Sequence, residues 1–248
     1  MPFTVSHAAA VLPFGSRLSA SALVIGAMTP DLPLFAPFLP YSVGATHTLF
    51  ATFVVNVLVG LVLFVLWHGF FARPADWFAP SGIRARLAAN QQPGLRRRLA
   101  TPGQVAGVVL SLFLGGVTHQ VLDWFTHAGT VVTDRFAVFH LTVLGMPFYF
   151  FLQVALSVVG LVVLAAWAVR WYLDAPVYPL TRQPSRLGKI AARATVVGSA
   201  ALAVLAAGAL VARTGHSPVF VISVAPVVAL ALASTVIAVI WHLVADDR

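Results

Sequence analysis

Apolar residues run through this chain in long stretches, and polar residues gather in the gaps between them. A membrane-spanning helix needs about 20 consecutive apolar residues. Five stretches meet or approach that length: His47–Phe71, Gln104–Phe125, Met146–Tyr172, Ala191–Ala212 and Val219–Val244. Ser19–Met28 is just as apolar but too short to cross. Pro30, Pro33, Pro37 and Pro40 follow it and are expected to break any helix there. The pattern therefore predicts two short helices, near His7–Phe14 and Ser19–Met28, lying at or dipping into the outer interface. Backbone that leaves the helix at such depth needs cover from protein or water. Two other readings stay open. Arg17 followed by Leu18–Ala27 has the form of a signal peptide. Ser21–Leu39 read as a broken span would put His7 on the inner side.

The fold class that follows is all-α: a polytopic membrane protein with about five transmembrane helices and a short re-entrant or interfacial N-terminal segment. We expect one integral membrane domain over residues 1–248. Within it, residues 1–46 form the interfacial segment, 47–145 carry the candidate chemistry, and 146–248 supply supporting transmembrane helices. Composition agrees. The chain is 60% hydrophobic and 9% charged, where soluble domains carry about 25% charged residues. Cysteine is absent, which excludes disulfides, thiolate catalysis and cysteine-type zinc sites.

Charge adds an orientation. The net charge of +8 resides largely in two loops beside apolar spans. One holds Arg73, Arg84, Arg86, Arg96, Arg97 and Arg98; the other holds Arg182, Arg186 and Lys189. Positive residues favour the cytoplasmic side, so both loops are expected inside a multi-pass protein of the bacterial inner membrane. No interleaving of basic and aromatic residues suggests nucleic acid; the expected partner is the lipid bilayer. The start of the first span and the end of the second then share the outer face. His47 opens the first, and His119, Asp123 and His127 close the second. His68 lies about 30 Å from His47 along a helix, so His68 and His242 fall at the opposite interface and outside the candidate site.

All seven acidic residues are aspartates. One of them, Asp123, stands between histidines in Thr118-His119-Gln120-Val121-Leu122-Asp123-Trp124-Phe125-Thr126-His127. On a helix, His119 and Asp123 are i,i+4 neighbours on one face, and His127 is the next step if the helix continues. Ionisable residues at the end of a span point to function. Asp31, in Pro30-Asp31, and His7 could complete the set from the N-terminal segment, although an Asp beside Pro also suits a turn. Imidazole and carboxylate donors suit zinc, and also manganese or iron. Six such donors (His7, Asp31, His47, His119, Asp123 and His127) suit one or two divalent ions. Asp31 and Asp123 are the candidate catalytic residues, as bridging ligands or to orient water. Asp134, His140 and His216 lie on the same predicted side as secondary candidates. The last three spans carry no comparable chemical signal.

The opening Met1-Pro2-Phe3-Thr4-Val5-Ser6-His7, with Met28-Thr29-Pro30-Asp31, Ala45-Thr46-His47-Thr48-Leu49 and the His119–His127 run, resembles a bacterial membrane-protein family known only as a domain of unknown function, DUF4184-like. The order of motifs over about the first 130 residues is also similar to that of the membrane-bound metal-dependent hydrolases, thought to be distant relatives of zinc-dependent phospholipase C. That second resemblance implies His7, Asp31, His47, His119 and Asp123 as metal ligands, with His127 a sixth. The chain departs from it at Thr48, where serine is usual, and in having Asp123 where a phospholipase-like ligand pair has glutamate. The function expected is a membrane-embedded metal-dependent hydrolase acting on a phosphoester or lipid head group at the outer membrane–water interface. The rival is a transporter or scaffold in which the same cluster is structural or relays protons. The middles of the spans hold little polar beyond Asn56 and Ser111, which argues against a conduction path.

Overall fold

The computed structural model describes residues 4–36, 39–88, 94–180, 183–214 and 218–244. These are helical almost throughout; among them the only strands are the antiparallel pair Thr142–Val143 and Met146–Pro147. Five helical stretches are long and apolar enough to cross a membrane: Leu49–Phe78, Pro102–Arg135, Phe148–Asp174, Arg186–Ala206 and Val224–Leu243. The protein is thus all-α with five candidate spans. The first span starts later than the expected His47 and runs past Phe71.

Capping explains that start. Ser42 accepts a hydrogen bond from the Ala45 N–H at the head of the Val43–Thr46 turn, and Thr48 accepts one from the Ala51 N–H at the head of Leu49–Phe53. Each side chain satisfies an otherwise orphaned helix N–H. Two caps so close together hold His47 in the link between helices rather than within one. Thr101 and Gln104 form a reciprocal capping box at the start of Pro102–Thr126, with Pro102 in the first turn, where its missing N–H costs nothing.

The prolines after Met28 do not all end the helix. The Ala20–Met28 helix continues through a 3-10 turn, Thr29–Asp31, into Leu32–Phe35. Pro30 and Pro33 each sit in the first turn of their own segment, the position proline tolerates. Pro37 lies outside the described residues. The preceding helix, Thr4–Phe14, is a 3-10 helix of 11 residues.

The chain divides into two compact units. The first comprises Met1–Phe64 and Arg98–Trp171. Its main packing lays Ala20–Met28 along Pro102–Thr126. Between lipid-embedded helices the hydrophobic effect supplies little attraction, so close backbone approach through small residues decides. Gly26 and Gly115 provide it: a Cβ on Gly26 would lie 2.1 Å from the Leu112 carbonyl oxygen, and one on Gly115 would lie 2.3 Å from that of Leu23. Val11, Leu23 and Ala27 form a buried cluster over this crossing. The short N-terminal helices are thus packed against the Pro102–Thr126 helix.

The second unit comprises Val65–Arg97 and Tyr172–Arg248. Within it Arg186–Thr214 packs on Pro218–Val244. The Arg86 guanidinium lies 3.7 Å from the centre of the Tyr172 ring, and its Nε donates to the Tyr172 carbonyl. His242 Nε2 donates to the Phe70 carbonyl at 3.0 Å. His68 and His242 belong to this unit, and all six candidate donors belong to the first.

Candidate metal centre

His7 comes from the 3-10 helix, Asp31 from the Thr29–Asp31 turn, His47 from the link before the first span, and His119 and Asp123 from the Pro102–Thr126 helix. His127 is not a further helical step. The helix ends at Thr126, and His127 is its C-cap with extended backbone, φ −121° and ψ 146°. His7, His47, His119 and His127 nevertheless all approach one carboxylate, that of Asp123, whose two oxygens face different surroundings, and Asp31 joins them through His47 and His119.

Oδ2 of Asp123 lies 3.1 Å from His47 Nε2 and 3.2 Å from His119 Nε2. Those two nitrogens are 3.3 Å apart. Oδ1 of Asp31 completes the group, 3.6 Å from His47 Nε2 and 3.7 Å from His119 Nε2. Every member is oriented from behind. His47 Nδ1 donates to the Val43 carbonyl and His119 Nδ1 to the Ala27 carbonyl, each at 2.8 Å. Carbonyls only accept, so in the neutral rings both Nε2 atoms present lone pairs to the centre. Thr4 Oγ1 donates to Asp31 Oδ2 at 2.6 Å, leaving Oδ1 to face inward. Thr46 Oγ1 donates to the Pro30 carbonyl at 2.7 Å, and Asn56 Nδ2 to the Thr46 carbonyl at 2.9 Å. The first bond ties the turn bearing His47 to the turn bearing Asp31, and the second ties it to the Val55–Leu66 helix.

Oδ1 of Asp123 faces a less finished environment. His7 Nε2 is 3.6 Å away and His127 Nδ1 3.3 Å away. The His7 ring stacks on that of His119 with centroids 4.0 Å apart. Buried at 1% exposure, His7 has no hydrogen-bond partner on either ring nitrogen, and Asp123 Oδ1 has none either. Desolvation pushes the His7 imidazole down to about 3, helped by His119 and opposed by Asp123, so His7 is uncharged near neutrality. His127 Nε2 lies 3.4 Å from the amide nitrogen of Gln153, on the Phe148–Asp174 helix.

The donor set fits a divalent cation. With both Nδ1 atoms protonated, two imidazole nitrogens and two carboxylate oxygens face one another, an arrangement that a cation at its centre would stabilise. A tetrahedral ion bonded at about 2.0–2.2 Å separates its ligand atoms by about 3.3–3.6 Å. The five separations above span 3.1–3.7 Å. Asp31, His47 and His119 form one group able to hold a metal ion, and His7, His119 and Asp123 form another. His119 has only Nε2 available, so it serves one ion. The backbone-held lone pairs make the Asp31–His47–His119 group, with Asp123 Oδ2, the better formed. A histidine ligand whose other nitrogen is fixed by a carbonyl is the usual second layer of such sites.

Among the secondary candidates, Asp134 is exposed, exposed His140 donates to the Thr133 carbonyl at 3.0 Å, and neither is among the grouped donors. His216 lies outside the described residues. Sequence reasoning missed Thr4, Thr46 and Gln153. Gln153 is the residue by which the third span reaches the site, and a buried amide in an apolar run was the visible signal.

The family model for the domain of unknown function DUF4184 matches residues 1–244, and the chain belongs to that family. Neither a curated protein nor a solved structure matches the chain.

Proposed function

We propose that the protein is a membrane-embedded metal-dependent hydrolase that cleaves a phosphoester or lipid head group at the outer membrane–water interface. The observation that carries this reading is the set of donors around Asp123 Oδ2, five of whose six mutual separations lie between 3.1 and 3.7 Å, near those of ligands on one metal ion. Asp31, His47, His119 and Asp123 would hold one ion, with zinc the first choice for two imidazoles and two carboxylates. Manganese and iron accept the same donors. His7, His127 and Asp123 Oδ1 border a position where a second ion or a substrate oxygen would sit. The Arg-rich loops, assigned to the cytoplasm, support an outward-facing site. The order of His and Asp motifs, similar to that of the membrane-bound metal-dependent hydrolases, supports the class.

A divalent ion, when bound, supplies Lewis acidity toward a phosphoryl oxygen and acidifies water. The chain's own residues do the rest. Asp123 links the two sides through its two oxygens, and Asp31 is held by Thr4 so that one oxygen points inward. His7 and His127 flank Asp123 Oδ1 and would position water or a substrate oxygen beside it. In the overall step the water oxygen bonds to phosphorus, the ester P–O bond breaks, and the leaving oxygen takes a proton. The side chains of His47 and His127 are 21% and 31% exposed, which supports an open site over a sealed structural pin.

The test pairs metal content with turnover. Purified wild type should carry one or two zinc or manganese ions per chain by elemental mass spectrometry and hydrolyse bis(para-nitrophenyl) phosphate. The His119→Ala/Asp123→Ala double variant should lose both properties while still inserting in the membrane. Wild-type protein that stays metal-free after incubation with divalent ions would overturn the reading in favour of a proton-relay or scaffolding role.

A further inference from the structure

A cavity of about 240 Å³ lies between the Thr4–Phe14, Pro102–Thr126 and Phe148–Asp174 helices, with Ser6 and His7 in its wall. Apart from Ser6, His7 and Thr126, its lining is apolar, including Ala10, Leu122, Leu156, Val159 and Val163. Leu156, Val159 and Val163 are exposed on a helix of spanning length and mean hydropathy 2.3, so this wall opens sideways toward hydrocarbon. Gly160 sets its floor: a Cβ there would lie 2.8 Å from the Ser6 carbonyl oxygen, so the absent side chain lets the two helices touch.

We propose that this groove receives the hydrocarbon chain of a single amphiphilic phosphoester while its phosphate lies beside Asp123 Oδ1. The inference rests on the metal-centre reading above, because phosphate is tolerated next to that carboxylate only with a cation present. Three observations select the occupant. The groove ends at His7, a fully buried ring whose two nitrogens lack partners and whose Nε2 is 3.6 Å from the equally unpartnered Asp123 Oδ1. Its open wall faces the layer where acyl chains lie. Its volume is below the roughly 300–1,000 Å³ of sites that enclose a drug-sized ligand, so it suits a segment of one chain rather than a two-tailed lipid. The substrate class is therefore a chain-bearing phosphoester held at both ends, in preference to a small soluble phosphate.

The test uses full-length protein in detergent, loaded with zinc, and dodecyl phosphate carrying a diazirine near the chain end. Photolabelling should map by peptide mass spectrometry to residues 156–163 and to Ala10. It should be suppressed by chelator and displaced by plain dodecyl phosphate at a concentration about tenfold or more below that needed of inorganic phosphate, a 1.4 kcal/mol difference. Val163→Trp, on the open wall, should cut labelling about tenfold with metal content unchanged, and Val163→Ala should leave it intact. Labelling that survives Val163→Trp, or equal competition by inorganic phosphate, would overturn the groove assignment. Metal content separates the two failures: zinc bound without groove labelling sinks only this inference, whereas no zinc in the wild type sinks the metal centre beneath it.

Discussion

The two oxygens of Asp123 look out on unequal halves of one site. Around Oδ2 each neighbour is oriented by a second bond: His47 by Val43, His119 by Ala27, Asp31 by Thr4. Around Oδ1, His7 has no such bond, and the His127 ring is held only through Thr126 and the more distant Gln153 amide, 3.4 Å away. The difference teaches where order was built in advance. Fixing a ligand before binding lowers the entropy cost of capture, so the Oδ2 half should hold its ion tightly. The Oδ1 half keeps unsatisfied polar atoms, the mark of a place completed by what binds there.

The largest effect should come from removing what the halves share. Asp123→Ala is expected to eliminate tight metal binding on both sides and all hydrolysis, read by elemental mass spectrometry of membrane-extracted protein. Wild-type stoichiometry in that variant would dissolve the comparison itself. Next in size are the orienting bonds of the ordered half. Thr4→Val and Thr46→Val should each weaken metal affinity about 10–100-fold, the usual cost of losing an outer partner, measured by competition with a chromogenic chelator. An effect below twofold would mean that these bonds merely hold the fold.

The third effect is on pH, and it isolates the other half. His7 is held near 3 in the fold against 6.5 when exposed, so between those values the unfolded chain binds more protons. Stability from its neutral form is complete above about pH 6.5 and drains away as pH falls toward 3, with a slope of at most about 1.4 kcal/mol per pH unit. In metal-free protein, thermal midpoints of His7→Gln should fall less steeply over this window than those of the wild type. Parallel curves would show that burial does not hold His7 neutral. The smallest effect is expected from Gln153→Leu, which removes the amide beside His127. It should lower turnover severalfold and leave the tightly held ion in place.

The donors were legible because chemistry and topology pointed the same way. A single Asp between two histidines at the end of a span stands out in a chain with so few acids, and counting charged loops brought His47 to the same side. What stayed hidden needed contacts between distant segments. Nothing local marks Gly26 and Gly115 as a crossing, since small residues are common in apolar helices. Thr46 reaches Pro30 across 16 positions, and Thr4 reaches Asp31 across 27. Helical spacing placed His127 correctly beside Asp123 but misjudged the backbone, because the Pro102–Thr126 helix stops one residue short.

The 3-10 winding of Thr4–Phe14 has its own consequence. With three residues per turn and about 2 Å of rise per residue, positions three apart eclipse one another. Thr4, His7 and Ala10 therefore form a straight row about 12 Å long. Its successive teeth meet the Asp31 carboxylate, the Asp123 carboxylate and the apolar groove. The segment works as a ruler laid from the His/Asp cluster toward the apolar groove. Adding or deleting a single residue between Thr4 and Ala10 would turn the far teeth by about 120° and put the polar and apolar graduations out of step, with every side chain chemically intact.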